Sequence, residues 1–214
     1  MGALLEDEPM WVPTIEDIKN SNITNFINFL NHSSNLSISD FNSLSNWSKN
    51  YPEKFYAAIW DFAGIVAEKK GIHTLVDSDK MPGAKWFPEA KLNFAQNILN
   101  KKDDSVAIIF QSENQIYREL SWNELYQSVS KLTKVFLDLG VNPGDRVVGF
   151  MPNIPETVIS MLAAVSIGAV WSSCSPDFGF KGVLDRFGQI EPKILITADG
   201  YFYNGKSHDS LYKV

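Results

Sequence analysis

The stretch from Leu139 to Ile196, LGVNPGDRVVGFMPNIPETVISMLAAVSIGAVWSSCSPDFGFKGVLDRFGQIEPKILI, decides the fold. Three short apolar runs of strand length, at Arg146 to Phe150, Ala169 to Trp171 and Lys193 to Thr197, are separated by two runs of helical period. Val158, Ile159, Leu162 and Val165 recur at helical spacing, and so do Phe180, Val183, Leu184 and Phe187. Pro155 falls in a first helical turn, where its missing N–H is harmless, and Gly168 marks that helix's end. Asn142-Pro-Gly-Asp145 is a turn into the first strand. Ser175-Pro-Asp177 is expected to start the second helix. Strands and helices in alternation require right-handed crossovers, hence a mostly parallel sheet covered on both faces.

Upstream of this stretch, Ser105 to Gln111 and Gln115 to Leu120 read as a β-hairpin turning at Ser112-Glu113-Asn114. Ser121-Trp-Asn-Glu124 has the form of a capping box. The helix behind it presents Trp122, Leu125, Val129, Leu132, Phe136 and Leu139 and stops at Gly140. Nearer the N-terminus the chain is helical and aromatic-rich. Thr14-Ile-Glu-Asp17 forms another capping box, followed by the stripe Ile18, Ile23, Phe26, Ile27 and Leu30. Asn31 to Asn35 ends that stripe. A further block with Phe41, Leu44 and Trp47 breaks at Tyr51-Pro52 and resumes with Phe55, Ile59, Trp60 and Phe62. Met81 to Ala90 is a proline-bearing connection with exposed aromatics, Leu92 to Leu99 a short helix, and Lys101-Lys-Asp-Asp104 a charged break. The expected organisation is an acidic tail (1–13), a mostly helical cap (14–103) and a partial α/β subdomain (104–214). The fold class is therefore α/β: a helical N-terminal cap followed by an incomplete, mostly parallel sheet flanked by helices.

Totals restrict the function classes. The chain has 214 residues, 44% apolar and 21% charged, which suits a packed core. Its formal net charge is −6 and it lacks a Lys/Arg-rich block, so nucleic acid is a poor partner. No apolar run approaches the ~20 residues of a spanning helix, so no membrane role is expected. The acidic start MGALLEDEPMW lacks the basic and apolar regions of a signal peptide. Cys174 is the only cysteine, which excludes an internal disulfide and fits the cytoplasm. The Asn-x-Ser/Thr triplets at Asn22, Asn31, Asn35 and Asn46 then count as by-products of an Asn/Ser-rich segment.

Few residues stand out as chemistry. Gly200-Tyr-Phe-Tyr-Asn-Gly-Lys-Ser207 matches the phosphate-loop string letter for letter. Its bulky Tyr201, Phe202 and Tyr203 argue against tight wrapping around an anion, and an extended edge segment is favoured. Cys174 lies at a strand end with no histidine nearby in sequence, so a small buried residue is expected in preference to a nucleophile. His32, His73 and His208 lack metal-ligand spacing, so no metal site is expected. Ser172, Ser173 and Ser175 lack a nucleophile elbow and suit loop hydrogen bonds. Asp145-Arg146 and Asp185-Arg186 suit structural ion pairs.

A family resemblance takes the reading further. Trp86-Phe-Pro-Glu-Ala-Lys-Leu-Asn-Phe-Ala-Gln-Asn97 is similar to the segment joining cap and main domain in acetyl-CoA and acetoacetyl-CoA synthetases. Gly140 to Arg146 and Met151-Pro-Asn-Ile-Pro-Glu156 resemble patterns of adenylate-forming enzymes in general. Ser166 to Gly179, with Gly182 to Pro192, resembles the acetoacetate branch of that family.

The resemblance implies a two-step acid–thiol ligase using ATP, Mg2+ and coenzyme A. A short acid, acetoacetate or a relative, would form an acyl-adenylate with loss of pyrophosphate, and coenzyme A would then displace AMP. It also implies that the phosphate loop, nucleotide motifs and adenylation lysine follow Val214, so that this chain is an N-terminal fragment, inactive alone. In acetate-using relatives an Arg-Gly-Gly-Lys segment lies against coenzyme A. The nearest match here is Tyr203-Asn-Gly-Lys206, carrying over Gly205 and Lys206 as candidate coenzyme A contacts; a solvated lysine is the alternative. Other readings are an acetyl-CoA or other short-chain acyl-CoA synthetase, or a non-catalytic nucleotide-binding or interaction module using Gly200 to Ser207. No cofactor is expected to be held tightly by this stretch alone, and an unpaired apolar sheet edge is expected to promote self-association.

Overall fold

Thr14 opens the helical part of the chain. In the computed structural model, which describes residues 9–113 and 116–213, its hydroxyl accepts the Asp17 N–H at 3.1 Å while Asp17 accepts the Thr14 N–H at 2.9 Å. That reciprocal cap starts α1 (Ile15–Asn20). Ser21 then ends α1 and caps α2 (Asn22–Ser34), accepting the Thr24 N–H. The single stripe expected from Ile18 to Leu30 is thus split in two. Phe26 and Leu30 are buried, whereas Ile18 and Ile23 are half exposed. A serine that can satisfy a free helix-start amide favours a new cap over helix continuation.

α3 (Phe41–Asn50) starts at Asp40, and the Tyr51-Pro52 break leads into α4 (Pro52–Phe62). Phe26, Leu30, Ile38 and Leu44 form the core of this part, with Trp47 and Phe55 packed on it. The Asn31 side chain bonds both the N–H and the C=O of Ile38, each at 2.9 Å, and so fixes the chain after α2.

The segment expected as a bare connection is a tethered strap. β1 (Leu75–Val76) pairs antiparallel with β2 (Lys85–Trp86). Trp86 packs on Tyr56 with ring centroids 4.3 Å apart, and Phe87 on Trp60 at 4.7 Å. The chain divides into two compact units, Met1–Lys91 and Leu92–Val214. The charged stretch from Lys101 to Asp104 lies inside the second. Residues 1–8, most of the expected acidic tail, lie outside the described residues.

The second unit contains α5 (Phe94–Ile98), β3 (Val106–Gln111), β4 (Tyr117–Ser121), α6 (Trp122–Asp138), β5 (Arg146–Phe150), α7 (Pro155–Ser166), β6 (Val170–Cys174), α8 (Phe180–Gly188), β7 (Ile194–Thr197), β8 (Gly200–Tyr203) and β9 (Lys206–Asp209). β3 and β4 form the expected antiparallel hairpin. Asn114 of its turn and Gln115, taken as the start of its second strand, lie outside the described residues. The Ser121–Glu124 capping box is present.

The central sheet has the order β6-β5-β7, with β5 parallel to both neighbours. Its topology follows from handedness. The β5–α7–β6 crossover moves one way along the sheet and β6–α8–β7 moves back over β5, so right-handed connections put α7 and α8 on opposite faces. The burial pattern agrees. Val147, Ala163, Leu162 and Phe136 belong to one core cluster, whereas Val148, Phe150, Cys174, Val183 and Phe187 form another. The fold is thus an open, mostly parallel α/β sheet flanked by helices.

Two local expectations need correction. Ser175 to Asp177 does not start α8: Ser175 Oγ donates to Asp177 Oδ2 at 2.8 Å, closing a turn, and the helix begins at Phe180 with Gly179 as its N-cap. Phe180 and Leu184 are also 58% and 55% exposed, although they share a stripe with buried Val183 and Phe187. Neither acid–arginine dipeptide pairs within itself, and among the described residues only the first contributes an ion pair, through Asp145. Asp145 takes Lys193 at 2.9 Å, Arg146 donates to the carbonyls of Ile190 and Glu191, and Arg186 lies over the Phe178 ring. Among the described residues no helix is long and apolar enough to cross a membrane.

Candidate functional site

Parallel α/β sheets bind ligands outside the carboxyl ends of their strands, where crossovers part in opposite directions. A cleft of about 670 Å3 lies there. Pro152, Asn153 and Ile154 follow β5 into it, Ser175, Pro176 and Asp177 follow β6, and β8 contributes Gly200 to Tyr203. The β3–β4 hairpin supplies Phe110, Glu113, Ile116 and Arg118, and α7 supplies Glu156. The volume lies in the ordinary range for small-ligand sites.

Backbone chemistry explains how these residues arrive. Pro155 starts α7 directly after the β5 loop, which puts Glu156 in the helix's first turn, where a carboxylate is favoured. Arg118 on β4 reaches Glu156 Oε1 at 2.8 Å. Burial pushes the Glu156 carboxyl up, but the hydrogen bond from Arg118 and a backbone N–H outweigh it, leaving the group below the ordinary carboxylate value. Asp177 ties two walls together. It accepts Ser175 Oγ at 2.8 Å and the Tyr201 hydroxyl at 3.1 Å. Burial, then the neighbouring Asp177 carboxylate, raises Tyr201 above its ordinary value. Tyr201 in turn stacks on His208, ring centroids 5.1 Å apart.

The letter-perfect phosphate-loop string is no such loop. Gly200–Tyr203 and Lys206–Asp209 pair antiparallel, and Asn204 (φ 51°) with Gly205 (φ 70°) forms the two-residue turn between them. Successive left-handed residues are what a tight hairpin turn demands, and Asn-Gly supplies them. The backbone amides are therefore spent on a ladder, not aimed at an anion. The Gly205 N–H itself donates to Glu113 Oε2 at 3.2 Å. Lys206, the other candidate contact, is exposed at the start of β9.

The remaining candidates separate by burial. Cys174 is 6% exposed and packs in the α8-side core with Val148, Phe150, Val183 and Phe187. Ser172 and Ser173 are ladder residues of β6, opposite Val148 and Gly149. His32 and His73 belong to the first unit and His208 to the second. No group of three or more His, Cys, Asp or Glu side chains able to hold a metal occurs among the described residues. In the sequence Glu113 reads as a turn residue, Asp177 as part of a helix start and Arg118 as a strand residue, none of them as a site residue. Two of the cleft acids lie in motifs, Glu156 as the last residue of Pro-Asn-Ile-Pro-Glu and Asp177 within Ser166 to Gly179, but the Arg118 partner of Glu156 lies 38 positions earlier.

The cleft's chemistry is lopsided. Three carboxylates, Glu113, Glu156 and Asp177, face one guanidinium that Glu156 already engages. Such a site, also lined by Phe110, Ile116 and Tyr201, accepts hydrogen bonds more readily than it donates them. It suits a planar ligand with N–H donors and repels bare phosphate.

An open doubly covered parallel sheet with a cleft on its carboxyl edge defines a ligand-binding α/β domain. Comparison with known proteins gives the family. Residues 94–213 match the AMP-binding enzyme family and residues 41–98 match the acetyl-coenzyme A synthetase N-terminus. The chain belongs to the AMP-binding enzyme family. It is 45% identical to the acetoacetyl-coenzyme A synthetase of Rhizobium meliloti over 97% of its own length and 32% of the relative's. It is 37% identical to the acetoacetyl-CoA synthetase of Xenopus tropicalis, covering 100% of this chain and 32% of that protein. The solved acetoacetyl-CoA synthetase from Streptomyces lividans superposes with a TM-score of 0.87 at 37% identity, covering 96% of this chain and 32% of that one. The chain therefore spans about a third of the length of these relatives.

Proposed function

We propose that this chain supplies the N-terminal third of an ATP-dependent acetoacetate–CoA ligase of the cytoplasm. ATP and acetoacetate give an acyl-adenylate and pyrophosphate; coenzyme A then takes the acyl group and releases AMP. The phosphoanhydride is consumed to convert a carboxylate, a poor acylating agent, into one with a good leaving group. The carrying observation is the 0.87 superposition on an acetoacetyl-CoA synthetase across 96% of the chain. Within this reading, 14–103 is the cap and 104–214 the first part of the AMP-binding domain. No step is assigned to Mg2+ on this chain.

Coenzyme A, whose adenine ATP shares, is a substrate whose chemistry the cleft fits. Its adenine offers N–H donors and a flat face to the carboxylates and to Tyr201, and its phosphates need a cation outside the acidic cleft. Lys206, next to the Asn204-Gly205 turn, is assigned to that phosphate, with Gly205 keeping the turn tight. Replacing the corresponding third of the Rhizobium meliloti enzyme by residues 1–214 should give a chimera that releases pyrophosphate only when acetoacetate is present. The 214-residue chain alone should release none. In the chimera, Lys206→Ala should raise KM for coenzyme A about threefold to tenfold, or about 0.7–1.4 kcal/mol, without moving KM for ATP. A folded chimera inert toward acetoacetate would end the activity reading; an unchanged KM for coenzyme A would end the Lys206 contact alone.

A further inference from the structure

Lys206 sits on a ribbon that the central sheet does not hold. Among the described residues β8 and β9 pair only with each other, Gly200 opposite Asp209 and Tyr203 opposite Lys206. Residue steps of roughly 3.4 Å put the turn about 10 Å beyond the first pair. Asn204 and Gly205 fix the shape of that turn, not its place. A swing of roughly 10° at the ribbon's base carries the turn through about 2 Å, enough to break a charge-assisted contact of roughly 2.8 Å. Two side chains from other elements oppose the swing. Asp177, in the loop after β6, accepts the Tyr201 hydroxyl at 3.1 Å near the base. Glu113, in the β3–β4 turn, accepts the Gly205 N–H at 3.2 Å at the tip, in the residue just before Lys206. The β3–β4 turn is itself anchored. The Ser112 N–H donates to the Ile116 carbonyl at 2.9 Å, and Arg118 ties the hairpin to Glu156 of α7. The tip tether has the longer lever arm, so its loss displaces Lys206 more.

We propose that Glu113 is a positioning residue: it holds the Asn204-Gly205 turn, and Lys206 with it, at the cleft rim where the coenzyme A phosphate is received. The proposal rests on the assignment of Lys206 to that phosphate. Glu113 does not touch the phosphate, since two anions repel; it acts through a backbone amide of the turn. Two other roles for the same carboxylate lead to different outcomes. As a direct acceptor for the adenine amino group it would act independently of Lys206. As an anion already seated on the Gly205 N–H it would compete with phosphate, and its removal would tighten binding.

The test is a double-mutant cycle on KM for coenzyme A in the chimera with the downstream part of the Rhizobium meliloti enzyme. Glu113→Ala should raise that KM about twofold to fivefold without lowering kcat, the effect of losing one ordinary hydrogen bond. Glu113→Gln, whose amide oxygen still accepts the N–H, should restore it. The double variant Glu113→Ala with Lys206→Ala should match Lys206→Ala alone, because a lysine that is absent cannot be misplaced. In the 214-residue chain, the Gly205 amide should exchange with deuterium at least about threefold faster in Glu113→Ala than in Glu113→Gln. Additive effects in the cycle overturn the proposal in favour of a direct adenine contact, and a fall in KM overturns it in favour of competition with phosphate. Unchanged exchange of the Gly205 amide also overturns it. The two possible failures are told apart by which single variant is silent. A silent Glu113→Ala beside an effective Lys206→Ala ends the positioning role alone, whereas a silent Lys206→Ala ends the phosphate assignment and the positioning role with it.

Discussion

At the scale of single residues, Gly149 shows how closely the sheet is packed. A Cβ built there would meet the Trp171 indole at 2.6 and 2.7 Å, a distance no ordinary side-chain contact allows. β5 and β6 lie side by side with Gly149 opposite Ser173, and Trp171 packs against the core on the α7 side. The indole thus occupies the space that a side chain at 149 would need. Gly149→Ala should cost about 1–3 kcal/mol of stability by overpacking and lower the melting temperature by roughly 4–12 °C. Adding Trp171→Leu should recover part of that loss, because the ring that collides is gone. A Gly149→Ala protein as stable as the unsubstituted one would show that the indole shifts without cost.

Among elements, the strap between β1 and β2 depends on one carboxylate. Glu89 accepts the N–H groups of Ile72 and His73 at 2.9 and 3.1 Å and faces the His73 ring nitrogen. The His73 side chain first, then the backbone N–H groups, lowers Glu89 from 4.5 to about 2. A lowered carboxylate stabilises the fold fully above its unfolded value and loses that contribution as pH falls through the folded value. Acid should therefore loosen the strap between about pH 4.5 and pH 2, detected as increased proteolysis or Trp86 fluorescence change. Glu89→Gln should remove the transition in that window; an identical acid profile would exclude Glu89 as its origin. This tether also marks a limit of sequence inspection. Capping boxes at Thr14 and Ser121 and the β5–α7–β6–α8–β7 alternation were legible because their signals lie within a few residues. Glu89 and His73 are 16 positions apart, Arg118 and Glu156 38, and no local pattern joins them. The phosphate-loop string failed for the opposite reason: its letters matched, but Asn204-Gly205 favours a hairpin turn more strongly than any anion nest.

Across the second unit as a whole, the sheet is a gradient of protection. β5 is bonded on both sides, to β6 and to β7, and Val147 and Val148 are wholly buried on opposite faces. α7 is held between the sheet and α6, and Asn93 Nδ2 bonds the Val165 carbonyl at 2.9 Å near its C-terminal end. Among the described residues no other helix contributes to the core cluster of α8, which leaves Phe180 and Leu184 largely in solvent. Local opening free energies track buried apolar contact and the exposure of backbone hydrogen bonds. Amides of β5 and α7 should therefore exchange with deuterium at least about tenfold more slowly than those of α8, a difference of about 1.4 kcal/mol or more in opening free energy. The experiment is native-state hydrogen exchange on the 214-residue chain at concentrations low enough to keep it monomeric. Equal protection of α7 and α8 would mean that one helix suffices to stabilise its side of the sheet, and that the unequal covering of the two faces carries no energetic weight.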